Sequence, residues 1–126
     1  MKLNLEHKLA LVTGSNRNTG EIIAQTLTRS GARVVFHANE SDGSAALAAN
    51  SAGTGLFVEG DIATREGCAA VLDQLSAQGL VVEILVNNYG TASFAKWDTV
   101  CDEAWLDMYQ KNVLSVARLV QALVPA

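Results

Sequence analysis

"VTGSNRNTGEII", residues Val12 to Ile23, is the stretch that decides the fold. It continues an apolar run, Lys8 to Thr13, and sets Gly14 and Gly20 just ahead of an amphipathic segment. A buried strand that passes through a glycine-rich turn into a helix aims free backbone N–H groups at one point, where the helix dipole favours an anion. The stretch therefore predicts a phosphate-binding loop, and an ordinary polar turn is the alternative. The Lys-Ser/Thr ending of a P-loop NTPase does not follow Gly20.

Strand and helix patterns alternate along the rest of the chain. Short apolar runs predict strands at 8–13, 33–37, 56–58 and 81–86. Helical periodicity predicts helices at 20–30, at 41–52 with Ser41 or Asp42 as cap, after a Thr64 cap, and from about 101 to about 124. We expect the aromatic residues of the last helix, Trp105 and Tyr109, to face the core. This alternation predicts one α/β domain over 1–126, with right-handed crossovers, a parallel sheet and helices on both faces.

Composition narrows the classes of function. The 126 residues are 49% hydrophobic and only 17% charged, against about a quarter charged in ordinary domains. A net charge of −4 argues against binding to nucleic acid or to an anionic membrane. No apolar run approaches the roughly 20 residues of a membrane span, and Cys68 and Cys101 lack a C-x-x-C spacing, so we expect a cytoplasmic protein. Neither His7 nor His37 has a metal-ligand neighbour, and no metal site is predicted.

Four short motifs in order carry a family resemblance. Thr13 to Gly20 is similar to a Thr-Gly-x-x-x-Gly-x-Gly loop, and Gly60-Asp61-Ile62 follows the third strand. Asn87-Asn88-Tyr89-Gly90 follows the fourth, and Trp105 stands seven residues before Asn112. Together they resemble the N-terminal half of the short-chain dehydrogenase/reductase family. The resemblance implies a Rossmann-like doubly wound sheet of about four strands in the order 3-2-1-4, truncated before its remaining strands.

The resemblance also assigns roles to matching positions. It implies that Asn112 is the catalytic-tetrad Asn and that the cofactor-binding residues are Gly14, Asn16, Arg17, Asn18, Gly20, Asn39, Asp61, Ile62, Asn87, Tyr89 and Gly90. Structural alternatives stay open for three of them. Asp61 could cap a turn, Asn87 could bond at a strand end, and Asn112 could be a satisfied buried amide.

Individual positions of the family motifs predict which cofactor binds and how strongly it binds. Ala38 stands where NAD-specific members carry an acid, and Arg17 offers a basic group for a 2′-phosphate, so NADP is favoured over NAD; a solvated Arg17 is the alternative. Asn18 replaces the second glycine of the loop, although Asn tolerates positive φ. Tyr89 replaces a small alanine, where a ring could stack on the nucleotide or block it. These two departures predict weak or absent binding.

The family's chemistry also requires a Ser and a Tyr with a Lys four residues later. Tyr89 and Tyr109 are followed at that distance by Ser93 and Val113, so we expect no catalysis by the isolated chain. Two hypotheses remain: the cofactor-binding portion of an oxidoreductase, or a non-catalytic module that binds adenine nucleotides or oligomerises. A phospho-receiver domain is disfavoured because the first strand ends without a carboxylate.

A self-association surface is the last expectation. The fourth strand, 81–87, carries one charge, Glu83, and no proline to protect its edge. The high apolar fraction is consistent with a surface covered by another chain. We therefore predict a homodimer or higher oligomer joined through the fourth-strand edge, the last helix, or both.

Overall fold

The computed structural model describes residues 3–125. Helices and strands alternate as the sequence predicts. The strands are β1 (Leu9–Val12), β2 (Arg33–Ala38), β3 (Phe57–Glu59) and β4 (Ile84–Val86). The helices are α1 (Asn18–Arg29), α2 (Ser44–Ala52), α3 (Arg65–Ala77), α4 (Asp102–Tyr109) and α5 (Ser115–Leu123), with a π-helical turn at Gln110–Leu114 between the last two.

The four strands form one parallel sheet in the order β3-β2-β1-β4, which confirms the predicted topology. β1 lies in the middle, and all four of its residues are buried. Val12 pairs with Phe36 on one side and Val86 on the other, so the carboxyl ends of three strands lie level. The loops that leave those ends are therefore held beside one another.

Alternating side chains of the strands pack into two separate hydrophobic cores, one on each face of the sheet. On one face, Leu11 and Val35 pack with Val71 of α3 and Leu119 of α5. On the other face lie Ala10, Val12 and Phe36, covered by α1 and α2 through small residues such as Ala24 and Ala49. Helices thus cover both faces of the sheet, because successive residues of a strand point to opposite sides.

Several predicted boundaries shift by a few residues. α1 begins at Asn18 rather than Gly20. α2 begins at Ser44 rather than 41, because Asp42 Oδ1 accepts a hydrogen bond from the Ser44 amide at 2.9 Å and Gly43 takes a left-handed φ of +83° before the first helical residue. β4 is limited to 84–86, the residues that pair with β1. Thr64 caps α3 as predicted.

The last predicted helix is present from Asp102 to Leu123, with the π-helical turn inside it. Just after this turn, Ser115 Oγ donates a 2.7 Å hydrogen bond to Lys111 O. The prediction that its aromatic residues face the core is wrong. Trp105 and Tyr109 do not face the core: Trp105 is 64% exposed and Tyr109 is also exposed. Only α5 packs on the sheet layer, through Leu119, while α4 projects beyond it. Within residues 3–125, no helix is both long enough and apolar enough to cross a membrane.

Candidate dinucleotide-binding site

A cavity of about 490 Å³ opens at the carboxyl edge of the sheet, between the loops that follow β1, β2 and β4. This is the position where β1 and β4 leave the sheet toward opposite faces, the usual ligand position in open α/β sheets. Its volume lies in the range of small-molecule sites. The predicted site residues that line it are Gly14, Asn16, Arg17, Asn18, Gly20, Asn39, Tyr89 and Gly90.

The two glycines shape the floor of this cavity. Gly14 has φ +62°, in the left-handed region that favours glycine. Gly20 sits so close to the preceding turn that a Cβ there would overlap the Gly14 carbonyl and lie 2.5 Å from Asn88 Nδ2. Helix α1 can therefore begin directly against the end of β1 only because residue 20 has no side chain.

The first turn of α1 leaves backbone N–H groups directed into the cavity. Arg17 is its N-cap residue and makes no side-chain capping bond. By contrast, α3 is closed by Thr64, whose Oγ1 accepts from the Gly67 amide at 2.9 Å. Asn18 adopts φ +54°, so it takes the turn conformation that the missing glycine would have supplied. An uncapped helix N-terminus in a cavity is suited to bind an anion.

A buried threonine joins the glycine loop to the loop after β4. Thr13 Oγ1 accepts from the amides of Asn88 (3.0 Å) and Tyr89 (2.9 Å). The Asn88 side chain in turn donates to the carbonyls of Thr13 (3.0 Å) and Gly14 (3.2 Å). Sequence reasoning did not assign these roles to Thr13 and Asn88. The only available signal was their presence within the two motifs.

Tyr89 occupies the far wall of the cavity. Its ring is partly buried and packs against the core that includes Leu119. Burial raises the pKa of its hydroxyl, and the nearby Asn39 side chain partly opposes that rise. Tyr89 is therefore protonated at neutral pH.

Asn39, just after β2, lines the cavity and has a buried, unsatisfied amide oxygen. Its Nδ2 donates to Asp61 Oδ1 at 3.0 Å, which orients the amide because the carboxylate can only accept. Asn39 Oδ1 is buried and has no hydrogen-bond partner, although the Tyr89 hydroxyl lies nearby. Such an atom costs free energy unless a ligand donates to it. The hydroxyl and amino groups of a nucleoside are donors of this kind, so the residues present fit a nucleotide.

Four predicted residues lie outside the cavity lining. Asp61 lies next to the cavity, where its Oδ1 accepts from the Asn39 side chain. The same Oδ1 accepts from the Ala63 amide at 3.0 Å, which is the turn-capping role considered as the alternative. Ile62 is 1% exposed in the core, and Asn87 is exposed to solvent. Asn112 donates to Met108 O at 3.0 Å and accepts from the Thr91 amide at 2.9 Å, so it is satisfied but not buried. Its amide thereby ties the π-helical turn to the loop after β4.

The family model described as short chain dehydrogenase matches residues 8–126. The chain belongs to the short chain dehydrogenase family. The family resemblance predicted from the four motifs is confirmed. No cluster of three or more His, Cys, Asp or Glu side chains that could hold a metal occurs in the described part of this family member.

Individual relatives and solved structures match nearly the whole chain. It is 34% identical over 124 residues to the 3-oxoacyl-[acyl-carrier-protein] reductase FabG of Escherichia coli K12, covering 98% of this chain and 51% of that protein. The L-sorbose reductase of Gluconobacter frateurii, solved with NADPH and L-sorbose, superposes with a TM-score of 0.89 at 33% identity, over 99% of this chain and 49% of that one. Pseudomonas aeruginosa RhlG, solved with NADP, gives 0.86 at 31% identity, over 97% and 48%. This short chain dehydrogenase therefore spans about half the length of the relatives it matches.

Proposed function

We propose that this chain is the dinucleotide-binding half of an NADP-dependent oxidoreductase. One observation carries the proposal: the uncapped N-terminus of α1 opens over the Gly14–Gly20 turn into a cavity of the right size. The pyrophosphate would lie on that helix end, and Asn39 would receive a donor from the adenosine. A bound nicotinamide would supply hydride transfer. A non-catalytic module that binds adenine nucleotides or oligomerises is the second candidate, favoured by the exposed apolar surface described below.

Catalytic inactivity of the isolated 126 residues is part of the proposal. Of the residues that the family resemblance makes catalytic, Asn112 alone is present, and it binds the loop after β4 rather than an ionisable partner. We expect an NADPH titration, followed by nicotinamide fluorescence, to show weak saturable binding. We expect no NADPH oxidation with L-sorbose or an acetoacetyl thioester, probes chosen from the names of the relatives. Turnover by the purified chain would contradict the proposal, and absence of binding would leave only the oligomerising module.

Arg17 supports the preference for NADP. Arg17 and Asp42 both line the cavity, on the side where α2 begins. Hydrogen bonds from Ser44 lower the pKa of Asp42, and the Arg17 guanidinium lowers it further. That side follows β2, where the adenosine ribose lies in folds of this type.

We predict that Arg17→Ala weakens NADP binding by about tenfold, the scale of one charge-assisted bond to phosphate, and changes NAD binding much less. Isothermal titration with both dinucleotides measures the difference. Arg29→Ala is the matched control, because Arg29 is exposed in the last turn of the same helix. An equal loss for NADP and NAD after Arg17→Ala would remove the argument for a 2′-phosphate contact.

Self-association through the last helices and the β4 edge is also proposed. β4 pairs with β1 alone among the described strands, so its other edge carries unpaired backbone groups. The segment after β4 also exposes large apolar side chains, namely Trp97, which is 88% accessible, Trp105, Tyr109 and Val113. Exposed apolar side chains that gather into a patch typically mark an interface. The free thiols of Cys68 and Cys101 support a reducing, cytoplasmic setting for the assembly.

We predict that sedimentation velocity detects a dimer or larger species at tens of micromolar, and that Trp105→Glu weakens association by about tenfold or more, as for an interface hot spot. Leu47→Glu is the control, because Leu47 is equally exposed, on α2 at the opposite face of the sheet. A monomer at high micromolar concentration would refute the proposal.

A further inference from the structure

His37, at the end of β2, is completely buried yet lies outside the cavity lining. Its Nδ1 accepts a hydrogen bond from the Gly14 amide at 2.9 Å. Its Nε2 lies 2.9 Å from the Gly60 carbonyl oxygen in the loop after β3. The ring therefore bridges the glycine loop and the neighbouring loop from beneath the site.

The backbone of His37 reinforces the same connection. Its amide donates to Ser15 Oγ at 2.9 Å, and its carbonyl accepts from the Ser15 amide at 2.9 Å. Ser15 Oγ donates to Val12 O at 2.7 Å. Two consecutive residues of the glycine loop are thus held by one residue of β2.

Only one form of the ring fits these partners. A backbone amide can only donate and a carbonyl can only accept, so Nδ1 must be bare and Nε2 must carry the proton. A protonated ring would point an Nδ1–H at the Gly14 N–H, leaving two donors face to face. The Gly14 amide would lose its acceptor in a partly buried place.

We propose that His37 is a positioning residue for the glycine loop: its neutral ring holds the Gly14 amide, and protonation of the ring releases the loop and weakens nucleotide binding. The part concerning affinity rests on the proposed nucleotide site. The part concerning the loop does not.

The surroundings of the ring determine the pH range. His37 lies on the sheet face of Val35, covered by α3 and α5. Burial lowers the pKa of His37, while the Gly60 carbonyl and the charge of Asp61 partly oppose this. The glycine-loop residues that touch the ring are uncharged. Other ionisable groups on this side of the sheet include Cys68 and Arg65 in α3, Tyr89 after β4 and Arg118 in α5, with Asp107 and Lys111 beside Tyr89.

The sign follows from the lowered pKa. The folded protein binds the proton less readily than the unfolded chain, whose histidine titrates near about 6.5. The stabilisation by the neutral ring is therefore complete above that pH and is lost as the pH falls through the lower, folded pKa of His37. Nucleotide affinity should fall over the same acidic range by about three- to tenfold, the effect of one backbone hydrogen bond.

Nitrogen-15 NMR on the intact chain tests the loop directly. We expect the His37 ring to show the Nε2–H tautomer at neutral pH, and the Gly14 amide resonance to move with the same midpoint as the ring on acidification. An Nδ1–H tautomer, or a Gly14 amide that does not follow the ring, would overturn the proposal. This readout stands even if no nucleotide binds, so failure of the proposed function is distinguished from failure of this inference.

Variants separate positioning from simple stabilisation. His37→Asn keeps an acceptor oxygen at the distance of Nδ1 but cannot titrate, so it should keep the loop and remove the acidic fall in NADPH affinity. His37→Leu should lose both the hydrogen bond to the Gly14 amide and the acidic fall in NADPH affinity. His7→Asn is the matched control, because His7 is exposed and its φ of +66° suits Asn. An unchanged pH profile in His37→Asn would contradict the proposal, whatever the fate of the Leu variant.

Discussion

Gly20→Ala is expected to destabilise the fold by about 3 kcal/mol, the upper range for overpacking in a close-packed site. The added methyl would overlap the Gly14 carbonyl oxygen, which is backbone and cannot move without opening the turn. It would also meet Asn88 Nδ2, which bonds to the Thr13 and Gly14 carbonyls. Thermal unfolding followed by circular dichroism should show a melting temperature lower by ~10–20 °C.

Gly43→Ala is the control, because it replaces a glycine at a position where no atom is packed closely against it. Gly43 has φ +83°, and nothing lies within 4 Å of a Cβ built on it. The substitution should cost about 1 kcal/mol, the penalty of a left-handed backbone alone. Equal destabilisation by the two variants would show that close packing of α1 on β1 is not what requires Gly20.

The second large effect is expected at Thr13, which is 2% exposed. Thr13→Val keeps the shape of the side chain but removes the oxygen that accepts from the Asn88 and Tyr89 amides. The Tyr89 N–H would then be left without a partner in a partly buried place, while the Asn88 N–H would keep only its 3.1 Å bond to Val86 O, at a combined cost of about 1–3 kcal/mol. The free energy of unfolding in urea measures this loss, and NADPH affinity should fall with it because the two walls of the cavity are no longer joined.

Thr13→Ser separates the hydrogen bonds from the packing. It keeps the hydroxyl and removes one methyl group, worth about 0.8 kcal/mol. If Ser proved as damaging as Val, the contribution of Thr13 would be apolar packing in the core. If neither Thr13→Ser nor Thr13→Val changed the free energy of unfolding, the loop after β4 would be held by other contacts.

Thr13 and Gly20 act on one structural unit. Both residues hold the glycine loop against the segment Asn88–Gly90, one through hydrogen bonds and the other by the absence of a side chain. Both contacts join residues separated by about seventy positions in the chain. The proposed cofactor site thus depends on two turns that meet only after β1 and β4 have paired.

Within the site, the sequence predicted which segments meet at the cavity better than it predicted which of their side chains line it. Asn88 lines the cavity, while Asn87 is exposed outside the lining, so the cofactor contact expected of Asn87 stays a prediction. Ile62 matched a motif but lies in the core. Neighbouring residues after a strand point in different directions, and a motif does not say which of them turns toward the ligand.

The sequence by itself determined the alternation of strands and helices and the glycine turn, because apolar periodicity and turn chemistry are local properties of the chain. The family, and with it the strand order, followed from the resemblance that the four motifs carry. Tertiary structure alone decided that the His37 ring accepts from the Gly14 amide and that the buried Asn39 amide oxygen has no hydrogen-bond partner. It also decided that Trp105 faces outward, against expectation, since helical spacing defines a side of a helix but not what covers it. Hydrogen-bond partners and coverage depend on distances between segments remote in sequence, which exist only once the sheet has assembled.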